Sequence, residues 1–106
     1  MNNNNLHDAI DQLRLDIDGM RDACETLLAQ FYTLAADIIE EVSLFGFANN
    51  DEVRVIEAVH AYFTDQVTHF MAQTDIDDDA ELIADTYKAH ADTLTSLLDS
   101  VTVVQR

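Results

Sequence analysis

The chain has 106 residues, and its 21 Asp and Glu against 5 Lys and Arg give a net charge of −16. This length fits one domain over residues 1–106, and the charge disfavours nucleic acid and anionic membranes as direct partners. A hydrophobic share of 48% is ordinary for a globular protein and too high for a disordered chain.

The N-terminus predicts the cellular compartment. Met1 is followed by four asparagines, without the basic and apolar segments of a secretory signal. No apolar run approaches the ~18 residues that would cross a bilayer. We therefore expect a cytoplasmic protein without a membrane contact. The single cysteine, Cys24, cannot form a disulfide within the chain, and we expect it to be a buried apolar residue.

The first predicted element is a long helix over residues 6–44. Large apolar residues recur at alternating spacings of four and three, which is the heptad pattern of a helix with one buried face. They are Leu6, Ile10, Leu13, Ile17, Met20, Cys24, Leu27, Phe31, Leu34 and Ile38. Gly46 can take the left-handed conformation that commonly ends a helix, so we expect the helix to stop just before it.

Two shorter helices follow, over residues 51–73 and 79–104. The former has apolar residues at mixed spacings of three and four, and the latter repeats the heptad pattern from Ile83 to Val104. An aspartate-rich break separates them, and the chain contains no proline. The predicted fold class is all-α, as a three-helix antiparallel bundle with a long N-terminal helix.

The lengths of these helices create a mismatch. At ~1.5 Å per residue the first helix would be roughly 58 Å long and the others roughly 35 to 38 Å. Four apolar side chains would extend beyond the bundle, and we expect them to form a homodimer interface: Leu6, Ile10, Leu13 and Ile17. The alternative is a four-helix bundle with a break at Gly19. The heptad register passes Gly19 unshifted, so we favour the straight helix.

The acidic residues form two candidate sites for binding a partner. Five share the outer face of the first helix when its heptads are aligned: Asp8, Asp11, Asp18, Asp22 and Glu25. A second cluster, Asp77, Asp78 and Asp79, lies before the last helix. A row of carboxylates along a helix is comparable in scale to the phosphates of duplex DNA.

These features predict a non-enzymatic protein that binds a basic, nucleic-acid-binding protein. In size and composition the chain resembles the small acidic inhibitors that phages and plasmids direct at restriction, CRISPR or repressor proteins. That resemblance implies a DNA mimic. The alternative is a salt-adapted structural or accessory helical dimer, whose acidic surface is merely solvated.

Histidines raise two further possibilities. Glu57 and His60 have the Glu-x-x-His spacing of di-iron helical bundles, but the rest of that motif is missing, so we expect no metal and no cofactor. His90 occupies a heptad position, where we expect a polar layer beside Tyr62 and Phe63. A buried histidine there would make the core sensitive to pH.

Overall fold

The computed structural model describes residues 3–104, so the two terminal residues at each end of the predicted domain lie outside the described part. It contains four helices: α1 (Asn3–Asp22), α2 (Thr26–Phe45), α3 (Asn50–Met71) and α4 (Ala80–Ser100). Two short strands, β1 (Phe47–Asn49) and β2 (Thr102–Val104), pair in parallel. The predicted helical class is confirmed. Within residues 3–104 no helix has the length and apolar character required to span a membrane.

The predicted straight helix over 6–44 is wrong, because the chain turns between α1 and α2. Cys24 has a φ of +64°, and no other non-glycine residue of the described chain has a positive φ. The amide of Glu25 donates to the carbonyl of Met20 at 2.8 Å, which closes the end of α1. Gly19 lies inside α1, so the break differs from the alternative at Gly19 as well.

Burial of apolar side chains explains this turn. Ile10, Leu13 and Ile17 are buried within the single chain, and Leu6 packs half-buried against the same core. Burying such side chains is worth about 1.5 to 3 kcal/mol each, which exceeds the ~1 to 2 kcal/mol cost of one left-handed residue. The longest dimension is 48 Å, shorter than the predicted straight helix. These four side chains are therefore covered within a single chain, which removes the basis for predicting that they form a homodimer interface.

The core-facing side of α2 differs from its heptad positions. Its buried residues are Ala29, Tyr32, Ala35, Ala36, Ile39 and Val42. Leu27, Phe31 and Leu34, which continue the heptad pattern, are exposed, and so is Cys24. The prediction of a buried Cys24 is therefore wrong. Small alanines let α2 pack closely on its neighbours, and its larger apolar residues remain outside.

The helices α3 and α4 complete the core. Asn49 caps α3: its side chain accepts from the amide of Glu52 at 2.8 Å, and the Glu52 carboxylate accepts from the amide of Asn49. This capping box fixes the start of α3. From α3 the core receives Ile56, Val59 and Phe63, and from α4 it receives Tyr87, His90, Leu94 and Leu97 among others.

The chain after α4 leaves the helix earlier than the predicted end at 104. Val101 is extended, and the amide of Thr102 donates to the carbonyl of Gly46 at 3.0 Å. Strand β2 then pairs with β1, from Phe47 opposite Thr102 to Asn49 opposite Val104. This pairing satisfies backbone groups of the α2–α3 connection, which would otherwise rely on solvent.

Candidate functional site

The acidic side chains are almost all at the surface. Of the 21 Asp and Glu residues, only Asp16 and Glu52 are half-buried, and the others are exposed. Four ion pairs occur among the described residues: Arg14 with Asp37 (3.7 Å) and Glu40 (3.0 Å), Arg21 with Asp18 (3.4 Å), and Arg54 with Asp51 (3.9 Å). Their atoms are largely exposed, so each contributes little to stability. Because acidic residues greatly outnumber basic ones, the surface has a strong negative field.

One part of this surface is the α1 acidic row, defined as Asp8, Asp11, Asp18 and Asp22. All four are exposed, on the side of α1 away from its buried residues. The row spans ~21 Å at the rise of an α-helix. The sequence predicted that Glu25 continues it, but Glu25 follows the turn at Cys24 and is the N-cap residue of α2. Glu25 is exposed without belonging to the row.

A second row lies on α4 and was missed by the sequence reasoning. Glu81, Asp85, Asp92 and Asp99 are all exposed and form the α4 acidic row. Their spacings of four, seven and seven place them on one helical face over ~27 Å. The same spacing of four, seven and seven is visible in the sequence, next to the heptad positions that form the core. Lys88, the single lysine, is exposed on the same helix near this row.

The two rows lie on neighbouring helices that run in opposite directions. Near its beginning α1 lines a recess with the later part of α4, formed by Asn5, Asp8, Ala89, His90 and Thr93. One turn further along α1, Gln12 approaches the hydroxyl of Tyr87 at 3.4 Å. The helices α1 and α4 are therefore antiparallel. The end of the α1 acidic row lies at the same end of the molecule as the beginning of α4.

The aspartate cluster before α4 lies at that end too. Asp77, Asp78 and Asp79 are exposed in the α3–α4 turn. Asp77 accepts from the amide of Asp79 at 3.0 Å, and Asp79 is the N-cap residue of α4 without a capping hydrogen bond from its side chain. The antiparallel register of α1 and α4 thus brings the predicted cluster to the same end as Asp22.

The core contains a hydrogen-bonded cluster that the sequence reasoning missed. Oδ2 of Asp16 accepts from the hydroxyls of Tyr62 (2.6 Å) and Tyr87 (2.7 Å), and Oδ1 accepts from Nε2 of Gln12 (2.9 Å). Asp16 shares the inward face of α1 with Ala9, Leu13 and Met20, and buried tyrosines usually find a partner for the hydroxyl. The inward position of Asp16 and the need of buried tyrosines for a hydrogen-bond partner could therefore have indicated this cluster from the sequence.

Burial and Asp16 control the chemistry of this cluster. Burial raises the pKa of Tyr62 and that of Tyr87 well above the usual value, and the hydrogen bonds to Asp16 and its negative charge raise both further. Burial also raises the pKa of Tyr32, which packs on Tyr62, with a smaller contribution from Asp65. Protonated hydroxyls act here as donors, so the cluster joins α1, α3 and α4.

The histidines lie in different surroundings. His90 is 8% exposed and packs against Phe63 with ring centroids 5.7 Å apart, which places these two residues together as the sequence predicts. Burial lowers the pKa of His90, and the negative charges of Asp8 and Asp16 partly oppose this. Nε2 of His60 lies 3.1 Å from the hydroxyl of Thr95.

The predicted metal candidates are not joined by further ligands. Glu57 is exposed, and His60 is half-buried with Thr95 as its partner. In the part of the chain that the structure describes, no group of three or more His, Cys, Asp or Glu side chains is arranged to hold a metal ion.

Comparisons of this chain with protein-family models, with curated proteins and with solved structures find no match.

Proposed function

We propose that this protein is a non-enzymatic binding protein that occupies a basic, nucleic-acid-binding surface of another protein. The observation that carries the proposal is the pair of antiparallel acidic rows on α1 and α4. Eight exposed carboxylates project there from two rigid helices, and Asp77, Asp78 and Asp79 extend the charge around one end. Such a partner is met in the cytoplasm, where we place the protein.

The dimensions of the rows support a DNA-like form of this binding. The axes of neighbouring helices lie roughly 8 to 10 Å apart, and the two rows run ~21 and ~27 Å along their helices. Their carboxylates recur on average every ~7 to 9 Å, which is sparser than the 3.4 Å rise per phosphate in one DNA strand. A groove lined with Lys and Arg would therefore meet about one carboxylate for every two or three phosphates of one strand.

A competition assay tests the proposal. Fluorescent duplex DNA is bound to three proteins in turn, a restriction endonuclease, a repressor and a CRISPR effector complex, and this protein is added as competitor. We expect displacement from at least one of them, weakening as salt rises because the attraction between exposed charges is screened. If DNA is displaced from none of the three proteins at 50 µM, the proposal is rejected.

Matched variants identify the surface responsible. The variant Asp8→Asn, Asp11→Asn, Asp22→Asn removes three charges from the α1 acidic row. The control Glu41→Gln, Glu57→Gln, Asp65→Asn removes three exposed charges from α2 and α3. We expect the row variant to compete at least tenfold less well and the control to compete as the wild type does. An equal loss in both would indicate dependence on net charge alone.

A second candidate function is a salt-adapted structural or accessory protein without mimicry. The observation in its favour is that exposed carboxylates also occur on α2 and α3, for example Asp37, Glu41, Glu57 and Asp65. Circular dichroism at 0.05 M and 2 M NaCl separates the two. A helical fold at low salt favours the binding protein, and a fold that requires molar salt favours salt adaptation.

A further inference from the structure

The outer face of α2 carries a line of exposed apolar side chains. Leu27 is 83% exposed and Leu34 is 60% exposed, with Phe31 and Phe45 exposed on the same face and Ile38 half-buried among them. We call these five residues the α2 apolar stripe. Their spacings of four, three, four and seven fit a heptad repeat, so they form one nearly straight line along the helix.

From this face we infer that the protein forms a homodimer in which the α2 apolar stripe packs against the same stripe of a second copy. A heptad stripe matches a second copy of itself, as an interface with twofold symmetry requires. This surface is distinct from the acidic rows of α1 and α4, and the inference does not depend on the proposed function.

The distribution of charge favours a second copy as the occupant. Residues 26–36, which form the first half of α2, contain no charged side chain, although a quarter of the whole chain is charged. Two copies with a net charge of −16 each repel one another, and they can approach most closely where both surfaces are uncharged. Asp37, Glu40 and Glu41 follow in the second half of α2. A crossing of the two helices near Phe31 keeps these acids away from the centre of the contact.

The area of the stripe reaches the lower bound for a dimer interface. At roughly 200 Å² for a fully exposed large apolar side chain, the stripe and Leu28 beside it present on the order of 500 Å². Two copies would bury about 1,000 Å² in total from these side chains alone, which reaches the lower bound for a specific interface. An exposed apolar patch of this size often serves as a binding surface.

Sedimentation equilibrium between 1 and 100 µM, in 0.15 M NaCl, tests the inference. The monomer has a mass of 11.9 kDa, and we expect the wild type to show twice this mass at the higher concentrations. The variant Leu27→Glu, Leu34→Glu adds two charges to each copy of the stripe, and we expect its dissociation constant to rise at least 100-fold. Both side chains are exposed, so the helical content by circular dichroism should be unchanged.

The matched control is Leu15→Glu, Leu82→Glu. These two leucines are 67% and 68% exposed and lie on α1 and α4, away from the stripe. We expect the control to remain a dimer with a dissociation constant within threefold of the wild type. A wild type that is monomeric at 100 µM, or two variants that dissociate equally, would overturn the inference.

The response to salt distinguishes this interface from the proposed binding to a basic partner. Salt screens the repulsion between two acidic copies, so raising NaCl from 0.05 to 0.5 M should tighten the dimer. The same change should weaken the displacement of DNA described above. A dimer that dissociates as salt rises would be held by ion pairs and would contradict an apolar interface.

Discussion

The hydroxyl of Tyr62 donates a 2.6 Å hydrogen bond to Oδ2 of Asp16, from α3 to α1. The same oxygen accepts a 2.7 Å hydrogen bond from Tyr87 on α4, so one carboxylate joins three helices. Short hydrogen bonds to a charged acceptor are among the stronger ones in proteins. We therefore expect Asp16 to contribute more to the stability of the fold than an exposed acidic residue does.

Replacing Asp16 should therefore destabilise the protein. Asp16→Asn keeps the shape of the side chain but removes the charge, and we expect the free energy of unfolding to fall by about 2 kcal/mol. Urea unfolding followed by circular dichroism measures this. Asp11→Asn is the control, since Asp11 is exposed on the same helix, and its effect should stay within about 0.5 kcal/mol. Equal effects would show that the negative charge of Asp16 contributes nothing to stability.

The tyrosines should resist ionisation in alkaline solution. Burial, with the nearby carboxylates, raises the pKa of Tyr32, Tyr62 and Tyr87, and these are all the tyrosines of the chain. Above pH ~10 the unfolded chain loses tyrosine protons that the folded chain retains. The contribution of the tyrosines to the free energy of unfolding is therefore fully present below pH ~10 and declines above it. At pH 10.5, absorbance near 295 nm should show less tyrosinate in the folded protein than in the urea-unfolded chain. Full tyrosinate absorbance in the folded protein at that pH would contradict this.

His90 should make stability depend on mildly acidic pH. Burial lowers its pKa below 6.5, so the neutral form is favoured in the folded state, despite the opposing charges of Asp8 and Asp16. Stability from this residue is complete above pH 6.5 and is lost as pH falls from 6.5 towards the lowered pKa. Linkage limits the loss between pH 7.5 and 5.5 to about 1.4 kcal/mol.

The variant His90→Gln isolates this contribution. Other histidines and the many carboxylates also titrate, but they are common to both proteins. The change in urea midpoint between pH 7.5 and 5.5 should therefore be more destabilising in the wild type than in His90→Gln. If both proteins respond to pH identically, His90 is not the source of the dependence.

The sequence predicted the helical class and much of the core correctly, because heptad spacing identifies which side chains share a face. Ile10, Leu13 and Ile17 on α1, and Tyr87, His90 and Leu94 on α4, are buried as this spacing predicts. It could not distinguish a continuous helix from two helices joined by a turn. The register continues unchanged across Cys24, and no glycine or proline marks the turn.

The acidic surface was predicted better than the contacts in the interior. Exposure of Asp8, Asp11, Asp18 and Asp22 follows from helical geometry alone. The partners of Asp16 come from α3 and α4, at sequence separations of 46 and 71 residues, so local pattern could not supply them. The exposed stripe of α2 was missed for a related reason: it has the spacing of a core, and only the alanines on the adjacent face show which side is buried.

The two glycines should respond to alanine in opposite ways. Gly46 ends α2 with a φ of +79°, a conformation that alanine adopts at a cost, so Gly46→Ala should destabilise the protein by about 1 kcal/mol. Gly19 lies inside α1, and an added Cβ would meet nothing within 4 Å. Gly19→Ala should therefore stabilise by about 0.5 to 1 kcal/mol. Thermal unfolding of both variants beside the wild type measures the difference, and a change of the same sign in both would contradict these conformations.

Substitutions at Cys24 should distinguish a turn from a continuous helix. A β-branched residue at a φ of +64° is strained, so Cys24→Val should lower the free energy of unfolding by about 1 to 2 kcal/mol. Glycine adopts this φ without strain, so Cys24→Gly should leave stability unchanged or raise it slightly. In a continuous helix the order would reverse, because glycine inside a helix costs about 1 kcal/mol and valine costs less. Urea unfolding of the two variants gives this order directly, and a less stable Cys24→Gly would indicate that the helix continues through residue 24.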